Sequence, residues 1–408
     1  MQNPYQNMIK FAIITERKTP PDRRVVFSPK KLQEVVQKFP EASFKVESSE
    51  IRIFPDEEYE QAGFEVSEDI SDCDVLLGVK EVPLPDLIPN KKYFFFSHTI
   101  KKQFYNRDLL RAVLRNNIEL YDHEVIIREN GARLIGFGRY AGLVGAYNCI
   151  RALGLKDRLF DLPKAEIFSD LKFLLAELDK ISIPPVKFLL TGSGKVAHGA
   201  KEILDHLKIK QVEINDYLNN QFDYPVVCLI DVLDYNKKKD GKTASNSEFY
   251  VHPERYVSNF MRFARVSNVF IAGHFYGDGA PVFFTQEQAN SPEFKINLIA
   301  DISCDMHEPI ASTIRPSTIE EPLYGYDPET GTEVDFHEKG AITVMAVDNL
   351  PCELPKDASE GFGDMFMKHV IPAFFNGDKD GILNRAKMTE NGKLTERFKY
   401  LQDFVNGN

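Results

Sequence analysis

The sequence predicts an α/β protein of two domains, each a parallel sheet flanked by helices. Three observations support this. A chain of 408 residues is longer than one ordinary hydrophobic core organises. Short apolar runs of strand length alternate with amphipathic helical patterns along most of it. Near the middle, a glycine-rich turn joins a buried strand to a helix.

The elements follow in order. "KFAIITE" (10–16) is an apolar strand. "SPKKLQEVVQKF" (28–39) starts a helix, with Ser28 to cap, Pro29 at the first position, and Leu32, Val35, Val36 and Phe39 on one face. "RIF" (52–54) leads to a helix at "PDEEYEQAG", stopped by Gly63. "DVLLGV" (74–79) is a buried strand that ends at Lys80 and Glu81. "FFFSHTIKK" (94–102) is an aromatic strand running straight into Ser97, His98 and Thr99. Either that strand simply surfaces there, or the core presents a proton-transfer group. "EVIIRENGARLIGFG" (124–138) reads as a hairpin turning at Asn130-Gly131.

From Arg139 a helix rich in small residues begins, "RYAGLVGAYNCIRALG", whose Gly and Ala positions admit a second backbone, as expected of a connector between domains. A second alternating region follows. "YNKKKDGKTASNSEF" (235–249) reads as a solvated loop, and "AITVMAVD" (341–348) as a buried strand. No internal repeat is present.

With 43% hydrophobic and 12% aromatic residues, the chain can fill two cores without tryptophan. A formal charge of −11 argues against nucleic acid or an anionic membrane as the main partner, though a local arginine pair can still serve a small anion. The five cysteines are scattered and never in C-x-x-C spacing. Four lie in apolar or strand-like runs, so they read as reduced thiols packed as small hydrophobes. "MQNPYQNMIK" lacks the basic-then-apolar order of an export signal, and no apolar run approaches a membrane span. A soluble, cytoplasmic protein is expected.

The glycine turn, "LLTGSGKVAHGA", follows the strand "VKFLL". It enters a helix whose Val196, Ala200, Ile203, Leu204 and Leu207 form a core stripe. In that context Gly192 allows the tight turn, and Gly194 lets backbone N–H groups approach a pyrophosphate. The helix N-terminus offers partial positive charge. Gly192, Ser193, Gly194, Lys195 and Val196 are the candidate dinucleotide contacts. An acidic residue for the ribose is expected about twenty positions on, where "KQVEIND" ends a strand. Glu213 and Asp216 both compete for that post.

Several stretches, in one order, resemble a family. They are "PDRRVVFSP", "RIFPDEEYEQAGFEV", "LLGVKEVP", "FSHTIKKQ", "LYDHEVI", "NGARLIGFGRYAGLVGA", the glycine turn, "HPERYVSNF", "IADISCDM" and "AVDNLPCELPKDASEGFGDM". Together they resemble the lysine-forming saccharopine dehydrogenases, most closely the lysine–2-oxoglutarate reductase portion of the bifunctional aminoadipic semialdehyde synthases. The chain is more distantly similar to alanine dehydrogenase and the transhydrogenase NAD-binding subunit. The resemblance runs from about residue 10 to about residue 375, and the last thirty or so residues match nothing.

This resemblance implies two Rossmann-like domains with the active site in the cleft between them. The catalytic domain would comprise 1–143 completed by 346–408, and the dinucleotide domain 144–345. It also implies a single-step enzyme, because the bifunctional relatives carry a further dehydrogenase domain where this chain stops. The reaction implied is nicotinamide-linked condensation of L-lysine with 2-oxoglutarate to saccharopine, or the reverse oxidation. NADP is the cofactor expected from the reductive relatives. Glu213, with no basic residue after it in "INDYLNNQ", favours NAD on local chemistry. A homo-oligomer is compatible with all of this.

Such chemistry needs proton traffic, and two titratable groups of separated pKa suit it. The family's lysine and histidine match Lys80 and His98, each following an apolar strand, where an open α/β sheet presents its ligand crevice. Keto-acid carboxylates call for guanidinium forks. By resemblance Arg24 and Arg133 fill that role, with Arg23 a solvated neighbour and Lys101 a further cation. Asp22, Glu124 and Asp305 would be acidic partners of substrate amines or of the catalytic pair, and Glu81 would tune Lys80. Surface ion pairing is the plain alternative for each carboxylate. His123, His252 and His274 form no metal-binding spacing, so no metal is expected. An alanine-dehydrogenase-like enzyme, or a nucleotide-binding sensor without catalysis, are the competing readings.

Overall fold

A computed structural model describes residues 8–407. The stretch read above for an export signal lies outside them up to residue 7. The chain divides into two compact units, one formed by Gly138–Leu354 and the other by the segments up to Phe137 and from Pro355. The boundaries at 137/138 and 354/355 differ from the expected 143/144 and 345/346 because of packing within the second unit. The long helix beginning at Gly138 stays whole. The turn Leu350–Glu353 stays with it, Glu353 accepting a hydrogen bond from Asn148 at 2.9 Å.

The first unit runs β1 (Ile9–Ile13), α1 (Pro29–Lys38), β2 (Ala42–Glu47), α2 (Asp56–Gln61), β3 (Glu65–Ser67), β4 (Val75–Lys80), β5 (Lys92–Phe96), α3 (Arg107–Arg115) and β6 (Glu119–Asp122). Its six strands are all parallel, in the order β3-β2-β1-β4-β5-β6. α1 begins as its sequence specifies, Ser28 Oγ accepting from the Lys31 N–H at 3.2 Å. Leu32 and Val35 are its fully buried apolar residues. The expected hairpin is a turn closed by a single bridge between Ile127 and Arg133.

Helix Pro355–His369 completes this unit. Ser359 accepts from the Val25 N–H at 2.9 Å, and Phe362 stacks on Phe137 with ring centroids 4.6 Å apart. The unmatched C-terminal residues also contribute to the core: Met388, Phe398, Leu401 and Phe404 pack with Leu110, Val113 and Leu120.

The second unit opens with α4 (Gly138–Asp157) and α5 (Leu171–Leu178). There follow β7 (Lys187–Thr191), α6 (Lys195–His206), β8 (Lys210–Gln211), α7 (Ile214–Asn219), β9 (Val226–Ile230) and α8 (Val232–Tyr235). Next come β10 (Asn236–Lys238), α9 (Asn246–Val251), β11 (Tyr256–Ser258), β12 (Val269–Ala272) and β13 (Leu298–Asp301). β14 (Leu323–Asp327), β15 (Thr332–Val334) and β16 (Ile342–Met345) close the unit. The main sheet is ordered β15-β14-β16-β13-β12-β7-β9-β8. It is parallel from β8 to β16, with β14 and β15 added antiparallel at one edge.

The run 235–249 is not a loop throughout. Its start is β10, paired antiparallel with β11, because Asn236 is buried and donates to the Val232 carbonyl at 3.0 Å. Lys238 then pairs with Glu248 at 2.8 Å.

The small residues of α4 admit a second backbone within their own unit. A Cβ on Gly142 would lie 2.0 Å from the Val196 carbonyl oxygen, and one on Gly199 would lie 2.0 Å from that of Arg139. Backbone cannot move aside as a side chain can, so helices α4 and α6 touch only because both positions lack a side chain. Gly142→Ala and Gly199→Ala are each expected to destabilise the protein by about 2 kcal/mol or more. Gly194→Ala, where a Cβ meets nothing within 4 Å, should change stability far less. Thermal unfolding of the three variants checks this ranking.

Candidate active site

The end of β4 is irregular. Its pairing with β5 is in register through Leu77, then shifts before Lys80 pairs with Phe96. Such a bulge re-aims the side chain that follows it and leaves ladder groups to be satisfied elsewhere. Two buried side chains do this. Glu16 accepts from the N–H groups of Val79 at 2.6 Å and Lys80 at 2.8 Å, while His123 Nε2 donates to the Gly78 carbonyl at 2.8 Å. Glycine at 78 leaves room, since a Cβ there would lie 2.8 Å from Ile14 and 3.5 Å from the Glu16 carboxyl.

Charge gathers around this bulge. Burial pushes the Glu16 carboxyl up to about 8, and the nearby Asp22 charge adds to the shift against the two N–H bonds and Arg24. Arg24 is 3% exposed, and its Nε and Nη2 both reach Asp22, at 3.0 and 2.6 Å. Burial raises Asp22, but the guanidinium outweighs it and holds the carboxyl at about 2, with the Lys80 ammonium assisting. Arg24 also lies 4.2 Å over the Phe137 ring. Its Nε and Nη2 are therefore engaged by an internal carboxylate, as a buried guanidinium requires. Glu81 faces Lys18 at 2.5 Å.

The end of β5 is held in a similar way. His98 adopts a left-handed backbone, φ +54°, which turns it out of the strand after the buried Ser97. Asp122, at the end of β6, accepts from the Ser97 N–H at 3.1 Å and its hydroxyl, and from the Glu124 N–H at 2.7 Å. Burial pushes Asp122 up to about 6. One carboxylate thus fixes both the loop bearing His98 and the residue facing it. Glu124 Oε2 meets His98 Nδ1 at 3.3 Å, and its Oε1 lies 3.3 Å from Arg133 and 3.8 Å from Lys101. Burial raises Glu124, yet the His98 hydrogen bond and the charges of Lys101 and Arg133 bring it to about 2. Arg133 and Lys101 remain half or more exposed beyond it.

In the second unit, the glycine turn follows β7 as expected. Gly192 has φ +101°, and a Cβ on it would lie 2.6 Å from the Gly273 carbonyl oxygen, so no other residue fits without movement. Ser193, Gly194 and Lys195 are exposed, Val196 is half-buried, and no side chain caps α6. An open glycine at a twelve-residue helix start suits the diphosphate of a dinucleotide. Beneath the turn, buried His274 meets Thr191 Oγ1 at 2.8 Å, and burial lowers its pKa to about 3, so it stays neutral.

The two candidate ribose carboxylates are elsewhere. Glu213 occupies the N-cap position of α7, and Asp216 lies inside it, beyond the edge strand β8. Asp305 also lies in the second unit, shortly after β13. Glu16, Asp122 and His123 escape sequence reading because each acts on backbone groups far away in the chain. The available signal was their placement, with Glu16 after β1 and the other two at the end of β6, on the edge that bears Lys80 and His98. Among the described residues, no three His, Cys, Asp or Glu side chains gather as a metal set, and no helix is long and apolar enough to cross a membrane.

Residues 12–144 match the family described as alanine dehydrogenase/PNT, N-terminal domain. Across nearly its whole length, the chain is similar in fold to a solved L-alanine dehydrogenase, with a TM-score of 0.64, 14% identity and 97% of this chain covered against 100% of that one. The α/β class is that of this dehydrogenase fold. Within it, the chain is similar in sequence to α-aminoadipic semialdehyde synthases and to L-lysine-forming saccharopine dehydrogenases. It is 30% identical over 435 residues to the mitochondrial α-aminoadipic semialdehyde synthase of Rattus norvegicus, with 93% of this chain and 46% of that protein covered. It is 25% identical over 402 residues to the NAD(+), L-lysine-forming saccharopine dehydrogenase of Candida glabrata, with 92% and 97% covered. The chain thus spans less than half of the synthases it matches.

The bulge gives a pH signature. Glu16 binds a proton more tightly folded than unfolded, so its contribution to stability is fully present below about pH 4.5 and is lost as pH rises through about 8. Over that interval the loss is on the order of several kcal/mol. Glu16→Gln cannot titrate. Its melting temperature is expected to fall less between pH 5 and 8 than that of the parent, whatever its absolute value, as differential scanning calorimetry across that range would show.

Proposed function

We propose that this chain is a nicotinamide-dependent oxidoreductase acting on a CH–NH bond. In this reading it condenses the ε-amine of L-lysine with the ketone of 2-oxoglutarate to form saccharopine, or runs the reverse oxidation. One observation carries it. Lys80 and His98 leave adjacent parallel strands at one edge of the sheet, Lys80 pairing with Phe96 two residues before His98, and buried carboxylates anchor both positions. The similarity to lysine-forming saccharopine dehydrogenases supports the choice of substrates.

The residues map onto the proton steps of that reaction. The amine loses a proton before attacking the ketone, the adduct gains one as water leaves, and an imine results. Bound nicotinamide supplies hydride to the imine carbon. Lys80 and His98 are the groups that exchange protons with the nitrogen and the departing oxygen. Glu124 keeps the His98 ring oriented, as a carboxylate does for a catalytic imidazole. Because Arg24 is taken by Asp22, the exposed Arg133 and Lys101 are the cations that meet the substrates' carboxylates.

Purified protein with reduced nicotinamide should oxidise it with lysine plus 2-oxoglutarate far faster than with ammonia plus pyruvate, followed by absorbance. The opposite preference would replace this reading with an alanine-dehydrogenase-like one. Lys80→Met and His98→Gln should each lower turnover by roughly 10²-fold or more. Their affinity for the dinucleotide should hold, since its loop belongs to the other unit. Near-normal turnover in both variants would remove the pair from the mechanism.

A further inference from the structure

In the usual dinucleotide-binding sheet, the strand beside the first one is the second in sequence, and the carboxylate at its end binds the ribose. The second unit departs from this. β7 pairs with β9, in register from Lys187–Val226 to Thr191–Ile230, and the Gly192 N–H donates to the Ile230 carbonyl at 3.0 Å. β8 pairs only with the far side of β9, ending with Gln211 opposite Val227. Glu213 is therefore one strand spacing farther out, about 4.8 Å, and about two residues, roughly 7 Å, short of the sheet edge at which the glycine turn sits.

The residue that does end the neighbouring strand is Asp231. Its Oδ2 accepts from the hydroxyl of Ser193, inside the glycine turn, at 3.2 Å. Its Oδ1 accepts from the Val232 N–H at 2.8 Å, while Asp234 closes the cap from the other side. A cap for the four-residue α8 accounts for Oδ1. It does not account for Oδ2, which is turned toward the loop that fits the diphosphate.

We infer that Asp231, not Glu213 or Asp216, is the carboxylate that reads the adenosine ribose, and that it makes the chain prefer NAD(H) over NADP(H). This rests on the dinucleotide-dependent reading proposed above. A carboxylate there accepts hydrogen bonds from the two ribose hydroxyls and repels a 2′-phosphate of nearly two negative charges. The NADP preference implied by the resemblance to reductive enzymes is what this residue opposes.

Direct binding separates the possibilities without recourse to turnover. NADH and NADPH are titrated into the full chain by nucleotide fluorescence, for the parent, Asp231→Asn, Asp231→Ser and Glu213→Gln. Asn and Ser both retain a capping oxygen for Val232, so α8 keeps its start, and circular dichroism verifies folding. The parent should bind NADH more tightly. Both Asp231 variants should shift the ratio of the two dissociation constants toward NADPH by about tenfold or more, the scale of one charged hydrogen bond. Glu213→Gln should leave the ratio in place. A parent that prefers NADPH, or a ratio that moves in Glu213→Gln and not in the Asp231 variants, overturns the assignment. A parent that binds neither nucleotide overturns the proposed function itself.

Discussion

The first unit's candidate site depends on one local defect, the bulge that ends β4. A regular ladder would hand the N–H groups of Val79 and Lys80 and the Gly78 carbonyl to neighbouring strands, and Lys80 would leave the sheet as an ordinary strand-end lysine. The defect frees those three groups, and burial forbids leaving them unpaired. Glu16 takes both N–H groups and His123 takes the carbonyl. Burial lowers the His123 pKa to about 4, so the ring makes this bond as a neutral imidazole. It packs edge-on against Phe96, Phe362 and Phe366. The backbone around Lys80 is thus fixed from two directions, by Glu16 and by His123.

The same economy recurs at His98. Its left-handed backbone is costly for a residue other than glycine and persists only where surroundings over-determine it. Asp122 supplies that constraint by gripping Ser97 on one side and Glu124 on the other. The charges are then arranged in tiers. Asp122 is sealed, Glu124 is nearly so, and the cations that neutralise Glu124 reach progressively into solvent. A buried carboxylate beneath an imidazole, with Lys101 and Arg133 as an exposed cationic rim, leaves positive charge at the surface that attracts anionic solutes.

Much of this was legible in the sequence where a residue's neighbours decide its structure. Ser28-Pro29 specifies the α1 start, the apolar runs specify the central strands, and glycines 192 and 194 specify the loop, all within a few positions. Lys80 and His98 were legible as residues that follow apolar strands, and the resemblance paired them. Glu16 was not, because what it binds lies more than sixty positions away and consists of backbone, which leaves no mark on side-chain pattern. Arg24 was identified as functional by its motif, but the motif could not show that Asp22, two residues earlier, would occupy its fork. Glu213 has the expected spacing, yet its strand β8 pairs with β9 and not with β7. Spacing along the chain locates the second strand, and only pairing shows which strand is the neighbour.

That last point reaches beyond one residue. The first unit keeps the order β3-β2-β1-β4-β5-β6, whereas in the second the third strand has taken the place of the second. The exchange follows from length: β8 has two residues and can pair only weakly, while β9 has five, all but one fully buried, and can bond with β7 along its whole extent. Once β9 holds that position, whatever ends it inherits the space beside the glycine turn. The local sequence there, "IDVLDY", is constrained by capping α8, so the carboxylate that starts this helix is also the one nearest the loop. A structural requirement and a recognition role thus fall on a single aspartate.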